Sequence, residues 1–107
     1  MPEKLNQDPV LTRFRAAVAE AYGDRLERVV LFGSRARGDH RPDSDYDIAV
    51  FIHKPGGLWD ELGTLSEITT AILIDTGAVI SAKPFIAGSY DARTGFMHDV
   101  RQDGRDL

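Results

Sequence analysis

Two apolar runs joined by a polar, arginine-rich connection constrain this chain more than any other feature. The first, Val29-Val30-Leu31-Phe32, stops at Gly33-Ser34, and the second, Ile48-Ala49-Val50-Phe51-Ile52, is opened by Asp45-Tyr46-Asp47. Short runs rich in β-branched and aromatic residues, bounded by Gly, Pro, Asp and Ser, predict strands. Side chains alternate along a strand, so Asp45, Asp47, Ala49 and Phe51 share one face and Tyr46, Ile48, Val50 and Ile52 the other. Two carboxylates spaced this way start about 6–7 Å apart. Their oxygens can converge on one magnesium ion, or on two ions about 4 Å apart. Folding alone gives no reason for two aspartates at the head of such a strand. Asp45 and Asp47 are therefore the candidate catalytic and metal-binding residues.

The turn that ends the first run is the second half of the candidate site. Gly33 lets the backbone come close to a ligand, N–H groups at the start of a following helical turn suit a phosphate, and Ser34 adds a hydroxyl donor. Arg35-Ala36-Arg37-Gly38 predicts a short helical turn. Arg35 and Arg37 are either solvated surface charges or contacts to a phosphate or a partner. His40 reads as a surface residue, and Asp43-Ser44 as turn chemistry before the second strand. The usual phosphate loop, G-x-x-x-x-G-K-[ST], is absent, which excludes a P-loop protein.

The remaining elements predict a scaffold for that site. Residues 1–7 are polar and read as loosely ordered. Asp8-Pro9 starts a helix as N-cap and first helical residue, carried by the stripe Val10, Leu11, Phe14, Ala17, Val18, Ala21 and closed at Gly23. Arg25 to Phe32 is the first strand and Tyr46 to Ile52 the second. A long helix follows over 58–74, with Leu58, Leu62, Leu65, Thr69, Ile72 and Leu73 in one stripe that Trp59 and Ile68 extend. A third strand over 78–85 carries Pro84, which marks an edge or an ending. A last helix covers 94–102, and Gly104 stops it. At 107 residues the chain is expected to be a single domain with one core.

A formal charge of −4 opposes broad non-specific nucleic-acid binding, so direct binding of nucleic acid is not expected. The absence of cysteine excludes disulfides and thiolate zinc sites, as suits a cytoplasmic protein. No apolar run nears the roughly 20 residues needed to span a bilayer, so no membrane partner is expected.

Gly33-Ser34, ten intervening residues, then Asp45-x-Asp47 resembles the signature of the DNA polymerase β-like nucleotidyltransferase superfamily. The fuller string Gly33-Ser34-Arg35-Ala36-Arg37-Gly38 through Ser44-Asp45-Tyr46-Asp47-Ile48 resembles the minimal nucleotidyltransferases, small proteins often encoded beside a helical HEPN partner. The motif covers about a fifth of the chain. The resemblance implies an α/β fold: a small, mixed, twisted sheet of three to four strands with helices packed mainly on one face, and the first two strands adjacent. It also implies Mg²⁺ on Asp45 and Asp47, with ATP or another NTP as substrate. Gly33, Ser34, Arg35 and Arg37 would bind the phosphates. AMP would be moved onto a hydroxyl, with a tyrosine of a HEPN-type toxin as acceptor and this chain as antitoxin.

Members of the superfamily carry a third acid on a strand after the long helix. Here that strand reads Ala78-Val79-Ile80-Ser81-Ala82-Lys83, with Ile80 or Ser81 at the equivalent place. Asp75, the nearest acid, reads as a solvated residue at a helix end. The lost acid supports an alternative from a different class, a catalytically weakened domain that neutralises its toxin by contact. An antibiotic-modifying transferase fits less well, because no acceptor domain is present.

Overall fold

In the computed structural model, which describes residues 7–107, helix α1 (Pro9–Tyr22) begins where the sequence places its cap. Asp8 Oδ1 accepts from the N–H groups of Val10 (2.9 Å) and Leu11 (3.4 Å), satisfying donors that the first turn leaves without partners. The reading of residues 1–7 as loosely ordered lies, save for Gln7, outside the described residues. Strand β1 (Leu26–Phe32) leads through the short helix α2 (Ser34–Arg37) and a loop to β2 (Tyr46–Ile52). Helix α3 (Leu58–Thr76), strand β3 (Ile80–Ile86), helix α4 (Gly95–Asp103) and the two-residue strand β4 (Arg105–Asp106) complete the order.

The four strands lie in the order β3-β2-β1-β4. β1 runs antiparallel to both β2 and β4, and β2 parallel to β3, so the sheet is mixed. β3 is an edge strand, which is where Pro84 is tolerated because its missing N–H faces no neighbour. β4 escaped the sequence reading. It is held by the Arg28–Asp106 pair (2.7 and 3.1 Å) and by Leu107 N–H donating to Val29 O (2.9 Å). Gly104 does more than stop α4. A Cβ there would lie 2.5 Å from Val100 O and 2.9 Å from Val30 Cγ1, so only glycine lets the chain pass back onto β1.

The predicted alternation divides the sheet into two unequal faces. Val29, Leu31, Tyr46, Ile48, Val50, Ile52 and Ile80 pack under α1 and α3, against Leu11, Phe14, Val18, Leu65 and Ile72. On the other face Val30, Ala49 and Phe51 pack with Met97 and Val100 of α4. Each fully buried side chain of this size contributes about 1.5–3 kcal/mol, so most of the fold's burial energy sits on the α1/α3 side.

The α3 stripe needs correction. Leu58, Trp59 and Leu73 are exposed, Trp59 at 83%. The line that points inward is Glu61-Leu65-Ile68-Ile72, one turn-related row of the helix. Glu61 is the one charged side chain in the core among the described residues. Its Oε2 accepts from Arg25 Nη2 (2.8 Å) and from Gly56 N–H (2.7 Å), anchoring the turn that enters the helix. No helix is long and apolar enough to cross a membrane, among the described residues. Glu61→Ala is expected to lower unfolding stability by about 2 kcal/mol in urea titration, because hydrogen bonds to a charged group are lost together. A change under about 0.5 kcal/mol would remove Glu61 from the set of anchors.

Candidate active site

The register of three strands assembles the site. Phe32, the last residue of β1, faces Asp47 of β2, and Ser81 of β3 faces Asp47 from the other side. Paired residues share a face, so Phe32, Asp47, Ser81 and, two residues on, Lys83 project from the side of the sheet that α4 only partly covers. Asp45 stands just before β2, exposed, while Asp47 is half-buried.

Gly33 makes this approach possible. Its φ of 76° and ψ of −158° are a glycine conformation. A Cβ there would lie 2.5 Å from Asp47 Oδ2 and 3.3 Å from Asp47 Cγ. Ala36 and Arg37 donate their N–H groups to Gly33 O, both at 3.1 Å. The N–H groups of Ser34 and Arg35, at the start of the turn, have no intrahelical acceptor. Ser34's hydroxyl has no protein partner among the described residues.

Neither Asp45 nor Asp47 accepts a hydrogen bond from a protein donor, among the described residues. Burial pushes the Asp47 carboxyl above its ordinary range, the Asp45 charge adds to that, and Lys83 and Arg37 pull it down. Two acceptor-only groups, close together and without protein donors, fit a hard divalent cation. Mg²⁺ binds through one or two carboxylates with phosphate and water completing its shell. No group of three or more His, Asp or Glu suited to a metal exists among the described residues. Asp75 does not join the pair. It is exposed and bonded to Arg13 of α1 at 2.8 Å.

The two candidate arginines occupy different positions. Arg35 donates from Nε to Ser44 O (2.9 Å) and from Nη2 to Pro42 O (3.1 Å), and its guanidinium lies 3.9 Å from the centre of the Tyr46 ring. It clamps the loop to the head of β2. Tyr46 in turn donates its hydroxyl to Asp8 Oδ2 (2.9 Å), and burial, then Asp8, pushes its pKa up to about 12. Arg37 is exposed and bonds Asp39 (3.1 Å) and Asp103 (3.0 Å). His40 and Arg41 are exposed in the loop, whose turn is closed by Arg41 N–H donating to Ser44 Oγ.

Sequence reasoning missed Lys83 and an apolar hollow beside it. The hollow has a volume of about 510 Å³ and is walled by Phe85, Phe96, Met97 and Ala92, with Lys83 and Thr94 at its polar rim. Alternation along Ser81, Lys83 and Phe85 carried the signal for the first. The second depends on where α4 docks.

A family model described as a nucleotidyltransferase domain matches residues 11–80, an interval holding all of these strands' site residues up to Ile80. The chain belongs to the nucleotidyltransferase domain family. A Methanocaldococcus jannaschii protein named as a protein adenylyltransferase, MJ0604, is 31% identical over 105 residues, covering 96% of this chain and 99% of that one. Among solved structures, one named as a nucleotidyltransferase from Sulfolobus solfataricus superposes with a TM-score of 0.64 at 24% identity, covering 91% of this chain and 75% of that one. A toxin–antitoxin structure with AMP-PNP superposes with a TM-score of 0.59 at 19% identity, covering 87% and 68%. The two structures bear out the fold. The family model and the M. jannaschii relative make this nucleotidyltransferase an enzyme of that kind, as the resemblance implied.

Gly33→Ala is expected to cost about 1–3 kcal/mol from the backbone alone and to displace the Asp47 carboxylate. Unchanged stability in a denaturant titration would contradict the close approach. Asp47→Asn should act in the opposite direction. A carboxyl raised in the folded state carries a penalty that is full above its raised pKa and disappears as pH falls through it. The variant should therefore melt at a higher temperature than wild type at pH 7, with the gain shrinking as pH falls through the raised pKa and gone below the ordinary carboxylate value of about 4. A lower Tm at pH 7 would show that the carboxylate stabilises the metal-free fold.

Proposed function

We propose that this nucleotidyltransferase moves AMP from ATP onto a hydroxyl of a partner protein, using Mg²⁺ held by Asp45 and Asp47. The observation that carries the reading is the pair of partner-free carboxylates beside the Gly33 turn. Bound there, Mg²⁺ would supply charge neutralisation of the triphosphate. The protein's own contribution is positioning and preorganised dipoles, which dominate transfers of this type. The N–H groups of Ser34 and Arg35 and the Ser34 hydroxyl donate to phosphate oxygens. Arg35 keeps its guanidinium in the loop clamp and adds fixed positive charge. Arg37 is able to exchange Asp39 and Asp103 for a phosphate at little cost, because exposed ion pairs are worth about 0–1 kcal/mol. The hollow beside Lys83 gives the same face room for a nucleobase.

AMP as the transferred group is supported by the relative named as a protein adenylyltransferase. A toxin as the partner is supported by the toxin–antitoxin structure of the same fold. Under this reading the acceptor is a hydroxyl of a HEPN-type helical toxin, and the protein acts in the cytoplasm as a single domain. A second reading, neutralisation by contact without catalysis, is favoured by one observation: no third acid joins Asp45 and Asp47 among the described residues.

Incubation with ATP labelled on the α-phosphate, Mg²⁺ and the protein encoded by the neighbouring gene separates the two. Transfer of label to that protein is expected, with a loss of at least about 100-fold in Asp45→Asn and in Asp47→Asn, because the residues act as a unit. Neutralisation that survives the double variant, with no label transferred by wild type, would establish the contact reading instead.

A further inference from the structure

The site has a charge deficit that the two aspartates cannot meet. Two carboxylates balance one divalent cation, and a triphosphate brings about four further negative charges. Arg35 and Arg37, in the turn after β1, supply part of the balance, and a cation on the sheet face itself would supply the rest. The strands place two cationic side chains there, Arg28 and Lys83, by their pairing with Phe51 and Ala49. Arg28 is occupied: it bonds Asp106 through two nitrogens and lies 3.7 Å from the centre of the Tyr90 ring. Lys83 is exposed and bonds no carboxylate among the described residues. Its Nζ lies 3.5 Å from Ser81 Oγ. The side chain therefore runs back along β3 toward the row that holds Asp47, and its charge is felt there.

We propose that the Lys83 ammonium is a ligand for a non-bridging oxygen of the bound triphosphate, set beside Ser81, where a third carboxylate would otherwise face Asp47. The inference rests on the nucleotide reading above. It makes the site one that combines a single divalent cation with a fixed protein cation, instead of three acids and two metals. A lysine suits this role because its ammonium is a compact point charge on a flexible stem, able to follow a phosphate as it binds. Lys83 also lines the neighbouring hollow, and in the β3 register it lies between Ser81, opposite Asp47, and Phe85.

The test is equilibrium binding of ATP to the full chain by calorimetry, once with Mg²⁺ and once with excess EDTA. Lys83→Gln should weaken binding about tenfold or more in EDTA, and less with Mg²⁺, as a lost charge-assisted hydrogen bond would. Lys83→Arg should restore most of the affinity. Because the side chain is exposed, Tm should fall only slightly in Lys83→Gln, by the lost attraction to Asp47, and stay unchanged in Lys83→Arg, so a purely structural effect is separable. In EDTA, Asp45→Asn should shift ATP affinity the other way, by removing repulsion. Wild-type affinity in Lys83→Gln, with ATP bound normally by wild type, would overturn the role of Lys83 and leave the nucleotide reading standing. Failure of the wild type to bind ATP under either condition would overturn both.

Discussion

The close approach of the Gly33 backbone to the Asp47 carboxylate is the constraint on which the rest of this structure depends. Asp47 sits in the central pair of strands, and half-burial there penalises its charge. An acid placed so would ordinarily be relieved by backbone donors, and this one has none among the described residues. What holds it is geometry. β1 pairs with β2 up to Phe32 and Asp47, and the chain then turns away through a conformation open only to glycine. A side chain at position 33 would occupy the carboxylate's space. The strain of an unpaired acid is thus built into the sheet, in the way functional sites concentrate locally unfavourable choices.

The two faces of the sheet divide the labour. The α1/α3 face carries the larger cluster of buried residues, anchored by Asp8 at one end and by Glu61 at the other. The opposite face has a smaller cluster under α4 and leaves the Asp47 row open. Stability on one side allows the other to hold like charges together. Arg35 couples the two: its guanidinium fixes the loop that delivers Asp45, while its stacking partner Tyr46 points into the α1 side and reaches the helix cap at Asp8.

Much of this was legible in the residues, for reasons that can be named. Strand β2 was read at its observed bounds because its alternation is strict and its ends are marked by Asp45 and by His53-Lys54-Pro55. Pro84 marked β3 as an edge or an ending, of which the structure shows the edge, and Asp8-Pro9 marked the start of α1. The α3 stripe failed because apolar residues there lie on more than one side of the helix. The buried row includes Glu61, a charged residue that no hydrophobic pattern would select. β4 failed because two residues carry no periodicity; its register comes from Gly104 and the Arg28–Asp106 pair. In the site, the spacing of Gly33, Ser34, Asp45 and Asp47 was visible in one dimension. The roles of Arg35 and Lys83 needed the third, since a clamp to Ser44 and a position beside Ser81 are properties of register.

The missing third acid is best understood through that register. With Ser81 opposite Asp47, a carboxylate at 81 would add a third negative charge to a row already strained by two. Without bound cations such a row is repulsive. A hydroxyl at 81 with an ammonium 3.5 Å away gives the opposite electrostatics: the row carries two negative charges and one positive before any ligand arrives. Coulomb attraction between Lys83 and Asp47 offsets part of the burial penalty, which a third acid would have enlarged. The metal-free protein is therefore less strained than a three-acid site would be, and under the proposed reading a polyphosphate would meet a fixed cation there whether or not a metal accompanied it. The demand on the fold shifts from holding three carboxylates apart to holding Lys83 along β3, which an exposed edge strand does without burying charge.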